Sequence, residues 1–168
     1  KSYVATNLAI SMALLGKKVA LVGLDIRKPM LANYLNLPSQ GCLTSYLSDD
    51  AYAFEDTILT SSVKNLDIIP AGIIPPNPSE LLQSDRLDIF FQELRKRYDY
   101  VVVDSAPVAL VSDTFLLSRI ADMTIYVTRA NYTTFDLIDF LNQTHEQQRL
   151  PKMVAVLNKK KKKKIGYG

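Results

Sequence analysis

The sequence has one cysteine, one histidine and no apolar run of about 18 residues, and each scarcity removes a class of function. A single Cys42 cannot form an internal disulfide and has no partners for a metal cluster, which agrees with a reducing compartment and with a small buried residue. Without a long apolar run the 168 residues contain no membrane span, and nothing at the start resembles a signal peptide. His145, in the polar stretch "NQTHEQQ", is expected to be a solvated side chain rather than a catalytic one. No internal repeat is present, and no Gly/Ser linker divides the chain. The opening residue is Lys1 rather than methionine and leads straight into a periodic apolar segment, so a start upstream of Lys1 is expected.

What is present is ordinary for a globular domain: 48% apolar and 22% charged residues, enough to bury a core. The net charge of +3 arises from Lys159 to Lys164, which hold six of the twenty basic residues; the remainder is mildly acidic. No nucleic-acid partner is expected on that basis. The run itself reads as a mobile tail over residues 159–168, with contact to an anionic membrane surface as the alternative.

Periodicity predicts a helix through Leu8, Ala9, Met12, Ala13 and Leu15, ended by Gly16 and followed by a buried strand "VALVGL". Further on, "NLDIIPAG" reads as a strand, "DRLDIFFQELRKRY" as a helix with Leu87, Phe90, Phe91 and Leu94 on one face, and "YDYVVVDSAPV" as another buried strand. "DTFLLSRI" looks helical, "MTIYVT" a strand, "TTFDLIDFLNQTHEQQ" a helix and "MVAVLN" a last strand. Short continuous apolar strands alternating with helices imply an α/β fold: a mostly parallel central sheet covered on both faces in a three-layer sandwich. The Pro-rich "AGIIPPNPSELLQSD" is a rigid surface connection.

In such sheets ligands bind beyond the carboxyl ends of the strands, so polar residues just after apolar strands are candidates: Asp25 with Arg27, Asp104 with Ser105, and Asn158. Asp104 after "YVVV" has the position from which a carboxylate reaches a phosphate-bound magnesium, yet taken alone a turn or helix cap explains it as well. The opening "KS" at a helix start matches the second half of a phosphate-binding loop, with Lys1 toward β/γ-phosphates and Ser2 toward magnesium. Arg27 could serve a phosphate or a subunit contact, or simply cover the sheet edge.

The ordered set "KSYVATNLA", "LVGLDIRKP", "AGIIPPNPSELLQSD", "YDYVVVDSAPV" and "VAVLN" resembles the catalytic domain of bacterial tyrosine autokinases of the exopolysaccharide and capsule co-polymerase family, over residues 1–158. The resemblance implies the P-loop fold shared with the MinD/ParA-like partition and division ATPases. It implies ATP or ADP with Mg²⁺ as ligands, with Lys1 and Ser2 closing Walker A, Asp25 and Arg27 in Walker A′ and Asp104 as Walker B. On the same terms Lys1, Asp25 and Asp104 are catalytic, Ser2, Asp25 and Asp104 face the metal, and Asn158 leads to the base pocket. It further implies γ-phosphoryl transfer to a C-terminal tyrosine, of which Tyr167 is the candidate, in a homo-oligomeric ring phosphorylating between subunits at the cytoplasmic face of an inner membrane. Membrane-spanning co-polymerase segments and a tyrosine phosphatase are the partners it implies.

One departure stands out. Gly23 occupies the place of the first Walker A′ acid, and Asp25, two residues on and on the same face if the strand continues, is expected to take over its role. Two other readings stay open: a partition or division ATPase, and a nucleotide-binding scaffold with little or no kinase activity.

Overall fold

The computed structural model describes residues 1–35, 37 and 42–159, and the chain divides into two compact units, Lys1–Ile120 and Ala121–Gly168. The first is built on a four-stranded sheet in the order β2-β3-β1-β4: β1 (Val19–Gly23), β2 (Leu59–Thr60), β3 (Leu66–Ile69) and β4 (Tyr100–Asp104). β1 is central and parallel to both β3 and β4, with Val19 opposite Leu66 and Tyr100, and Gly23 opposite Asp104. The short β2 runs antiparallel at the edge.

All five residues of β1 are buried, as a parallel strand covered on both faces requires. Its alternate residues feed two separate cores. Val19 and Leu21 pack with Ala9 and Ala13 of α1 (Ser2–Leu14) and Leu31 of α2 (Met30–Leu35). Ala20 and Val22, with Leu24 just beyond, pack toward α3 (Leu43–Ser48), α4 (Pro78–Gln83) and α5 (Asp85–Arg97). Helices therefore cover both faces, and the expected three layers are present within this unit.

The amphipathic reading of α5 holds: Leu87, Phe90, Phe91 and Leu94 are its buried residues. Phe90 lies at the centre, its ring 5.2 Å from Tyr46, 5.0 Å from Phe54 and 6.0 Å from Phe91. Removing such a ring costs about 3–5 kcal/mol. In α1 the buried residues are small, Ala9 and Ala13 with Thr6, which lets the helix lie close on the sheet, while Leu15 is exposed. Gly16 ends that helix as expected: at φ +84 it donates to Ala13 O (2.9 Å) while Lys17 N reaches Met12 O (3.3 Å), a Schellman closure.

A second glycine fixes the loop after β3. Gly72 has φ +97, and a Cβ there would lie 2.4 Å from Cys42 Cβ, so only glycine fits. The same loop offers Pro70 O and Ala71 O to the amides of Leu43 and Thr44, fastening the start of α3. Cys42 is buried, as expected, and burial raises its thiol pKa. "DTFLLSRI" departs from expectation in kind: Ser112–Arg119 is a 3₁₀ helix, an unusually long one.

The second unit, taken by itself, is a βαβ element. β5 (Thr124–Arg129) and β6 (Met153–Asn158) are parallel, Thr124 opposite Met153 and Arg129 opposite Asn158, with α6 (Phe135–Glu146) as the crossover. His145 is exposed on it. Among the described residues no helix is long and apolar enough to cross a membrane.

Candidate functional site

Parallel pairing brings the two acid-bearing strand ends together. β1 stops at Gly23, and the amides of Leu24 and Asp25 both donate to Asp104 O, at 2.9 and 3.1 Å. The regular ladder ends there, so Asp25 lies beyond the extended strand along which it was expected to continue the face of Gly23. Its carboxylate lies beside Asp104 instead.

Lys1, the residue before α1, meets both acids. Its Nζ is 3.0 Å from Asp25 Oδ2 and 3.3 Å from Asp104 Oδ1. The Ser2 hydroxyl donates to Asp104 Oδ2 at 2.5 Å, and Lys28 N donates to Asp25 Oδ1 at 3.1 Å. The carboxylates are buried, with side-chain exposures of 9% and 3%, while Lys1 keeps 30%. Two desolvated acids thus share one ammonium and retain a surplus negative charge. Removing ions from water is expensive, so a further cation beside the two acids would stabilise them.

That donor set suits magnesium. The ion takes one or two carboxylates and a hydroxyl alongside phosphate oxygens and waters, rather than a cage of protein ligands. Among the described residues no group of three or more His, Cys, Asp or Glu is placed to hold a metal by itself.

Gly23 forms the wall beside the acids, with Pro29, Leu31 and Ala71 around the same shallow depression. A Cβ at Gly23 would sit 3.2 Å from Ala71 N and 3.3 Å from Leu31 Cδ2. The glycine is therefore a close-packing position as well as the place of a missing acid.

Arg27 is turned to other partners. Its Nε donates to Asp113 Oδ2 at 2.9 Å, its Nη2 pairs with the same oxygen and donates to Ser79 Oγ at 3.0 Å, and Ser79 Oγ in turn donates to Asp113 Oδ2 at 2.9 Å. The guanidinium beside it holds the Asp113 carboxyl below the ordinary carboxylate range. Neither Ser79 nor Asp113 was among the residues expected from sequence; the acid in the first turn of a short helix was the available signal.

Asn158 closes β6 in the second unit, where its carbonyl accepts from Ala130 N and its Oδ1 from Lys159 N. Tyr167 and Lys160–Lys164 lie outside the described residues.

A family model described as an AAA domain matches residues 1–158. Tyrosine-protein kinase CpsD of Streptococcus agalactiae is 30% identical over 170 residues, covering 100% of this chain and 72% of the relative. The chain belongs to the bacterial tyrosine autokinase family. Tyrosine-protein kinase YwqD of Bacillus subtilis is 37% identical over 133 residues, 79% of this chain and 56% of its own length. The kinase domain of the Escherichia coli tyrosine kinase ETK superposes with a TM-score of 0.89 at 28% identity, over 98% of this chain and 64% of that one. The likeness extends, at 20% identity and a TM-score of 0.73, to the septum site-determining protein MinD of Pyrococcus horikoshii, which shows the shared P-loop NTPase fold. The chain spans 23% of the tyrosine-protein kinase ptk of Acinetobacter johnsonii and 57% of the putative tyrosine-protein kinase CapB of Staphylococcus aureus.

Proposed function

We propose that this chain is the ATP-dependent tyrosine autokinase domain of a protein that regulates polymerisation and export of an exopolysaccharide or capsule. The observation that carries the reading is the single ammonium of Lys1 set between the buried carboxylates of Asp25 and Asp104, with Ser2 on the second acid. In a family of tyrosine kinases this is the arrangement that receives magnesium and phosphates.

On this reading Lys1 would hold the β/γ-phosphates of a bound nucleotide, and Ser2, Asp25 and Asp104 would hold its metal. When bound, the magnesium nucleotide would supply the γ-phosphoryl group and the charge neutralisation that its transfer needs. Asp104, held on both oxygens, keeps its carboxylate fixed at the end of β4. Asp25 is the one acid of the A′ stretch and also receives the acceptor hydroxyl proton, a base contribution of about 10²–10⁴ in rate. Arg27 lies at the rim of the nucleotide site. The acceptor is Tyr167, presented by a neighbouring copy in a ring at the cytoplasmic face of an inner membrane, with membrane-spanning segments and a tyrosine phosphatase as partners.

The test is phosphotyrosine formation by the full-length protein with ATP and Mg²⁺, mapped by mass spectrometry. Phosphate on Tyr167, lost in Asp104→Asn, supports the kinase. A second reading, a nucleotide-dependent scaffold, is favoured by Gly23, whose surroundings leave little room for the acid. Tight magnesium-nucleotide binding with no phosphotyrosine would decide for the scaffold. Stimulation of ATP turnover by DNA or lipid vesicles would decide for a partition or division ATPase.

A further inference from the structure

The Arg27, Ser79 and Asp113 side chains close a three-membered cycle of hydrogen bonds in which Ser79 Oγ accepts from the arginine and donates to the acid. The three come from the loop after β1, the first turn of α4, and the first turn of the 3₁₀ helix Ser112–Arg119. The cycle is tied to both acid-bearing segments, to Asp25 itself on one side and to the backbone after Asp104 on the other. Lys28, next to Arg27, places its amide on Asp25 Oδ1 at 3.1 Å. Thr114, next to Asp113, donates its hydroxyl to Ala106 O at 3.1 Å, two residues past Asp104. Holding the guanidinium therefore holds the loop that carries Asp25, and registers it against the loop that follows Asp104.

We infer that Ser79 and Asp113 are positioning residues that set the Asp25 carboxylate through Arg27 and Lys28 N, and so determine how tightly the site takes Mg²⁺. The inference rests on the magnesium-nucleotide reading above. Neither residue touches Lys1, Ser2, Asp25 or Asp104 by any hydrogen bond among the described residues. Their effect passes through the arginine, in the way that outer partners orient a metal's ligands.

The experiment uses the full-length protein and its Ser79→Ala, Ser79→Thr and Asp113→Asn variants. Binding of a fluorescent ADP analogue is titrated with and without Mg²⁺, and the phosphotyrosine rate is followed as ATP and Mg²⁺ are varied. Ser79→Ala and Asp113→Asn are expected to raise the half-saturating Mg²⁺ concentration and lower kcat by about tenfold each, with metal-free affinity changed less than about twofold. Ser79→Thr, which keeps the hydroxyl, is expected to restore most of both. Unaltered Mg²⁺ dependence in Ser79→Ala and Asp113→Asn would overturn the inference, and so would a parallel loss of metal-free affinity. If Asp113→Asn melts below the assay temperature, Ser79→Ala decides. Parent protein that makes no phosphotyrosine overturns the kinase reading alone, and the Mg²⁺ titration then still decides the positioning.

Discussion

Two clusters of charge meet in the loop after β1, where Asp25 and Arg27 stand two residues apart, and they differ in nearly every physical respect. Lys1, Asp25 and Asp104 are gathered at the ends of β1 and β4, with two carboxylates for one ammonium. Arg27 and Asp113 pair nearer the surface, one charge for one charge, with the Ser79 hydroxyl closing the cycle. The first is buried with one more acid than base, an arrangement that a bound cation would stabilise. The second satisfies itself, and an exposed pair of this kind contributes little to stability, so its value lies in geometry. On the reading proposed above, the unbalanced buried cluster binds, whereas the balanced one holds.

The contrast is tested most severely at Asp104. Asp104→Ala removes the more buried acid together with its bonds to Lys1 and Ser2. Phosphotyrosine formation is expected to fall by about a thousandfold, the several kcal/mol associated with metal-assisted charge stabilisation. Rates within tenfold of the parent, measured at saturating ATP, would mean that the buried cluster is structural after all.

Lys1→Met asks whether the surplus charge is real. It leaves two buried carboxylates facing each other, and the melting midpoint should drop by the equivalent of about 3 kcal/mol, the low end for breaking a buried pair, because Lys1 keeps some exposure. Added Mg²⁺ should recover part of that loss in the variant and much less in the parent. Calorimetry with and without the ion measures both; an equal response in the two proteins would remove the argument for an unbalanced pair.

At Gly23 the comparison becomes one between a missing acid and a packed wall. Gly23→Ala must displace Leu31 or the Ala71 backbone by a few tenths of an ångström, for which overpacking costs of about 1–3 kcal/mol are expected. Gly23→Asp should melt lower still, since it adds a third carboxylate to a depression already lined by Asp25 and Asp104. No gain in phosphotyrosine is expected from it. A variant that melts like the parent and phosphorylates faster would show that the wall yields and that the acid is what this chain lacks.

Much of this arrangement was legible in the sequence because it depends on local signals. The 3.6-residue spacing of Leu87, Phe90, Phe91 and Leu94 gave α5 and its buried face, and Gly16 marked the end of α1. The acids after apolar strands pointed to the edge where Lys1 meets them. What escaped depends on distance along the chain. Asp113 is 86 residues from Arg27 and Ser79 is 52, and nothing in either stretch marks them as partners. The two-residue β2 and the six-residue α2 and α3 are too short for periodicity to show. Gly23 read as an absent carboxylate because side-chain identity is visible in sequence, whereas the approach of Leu31 and Ala71 is not.

The mildest test compares the clusters by acid. Arg27 lowers the Asp113 pKa in the folded protein, so the stability this pair contributes is fully present above the unfolded carboxylate value near 3.9 and is lost as pH falls through the lower folded value. Protonating Asp113 leaves Arg27 with a neutral partner. At pH 7 Asp113→Asn should melt below the parent by the equivalent of roughly 0.2–1 kcal/mol, the range for pairs exposed to solvent, since Arg27 is itself 44% exposed. Once the pH is below the lowered folded value the two melting curves should converge, because the parent has by then lost the same charge. Because a balanced, solvent-facing pair adds little to stability, the same substitution is expected to move the Mg²⁺ dependence of nucleotide binding far more than the melting temperature. A melting loss at pH 7 well beyond this range would place the cycle with the buried cluster, as a support of the fold rather than a device for aiming Asp25.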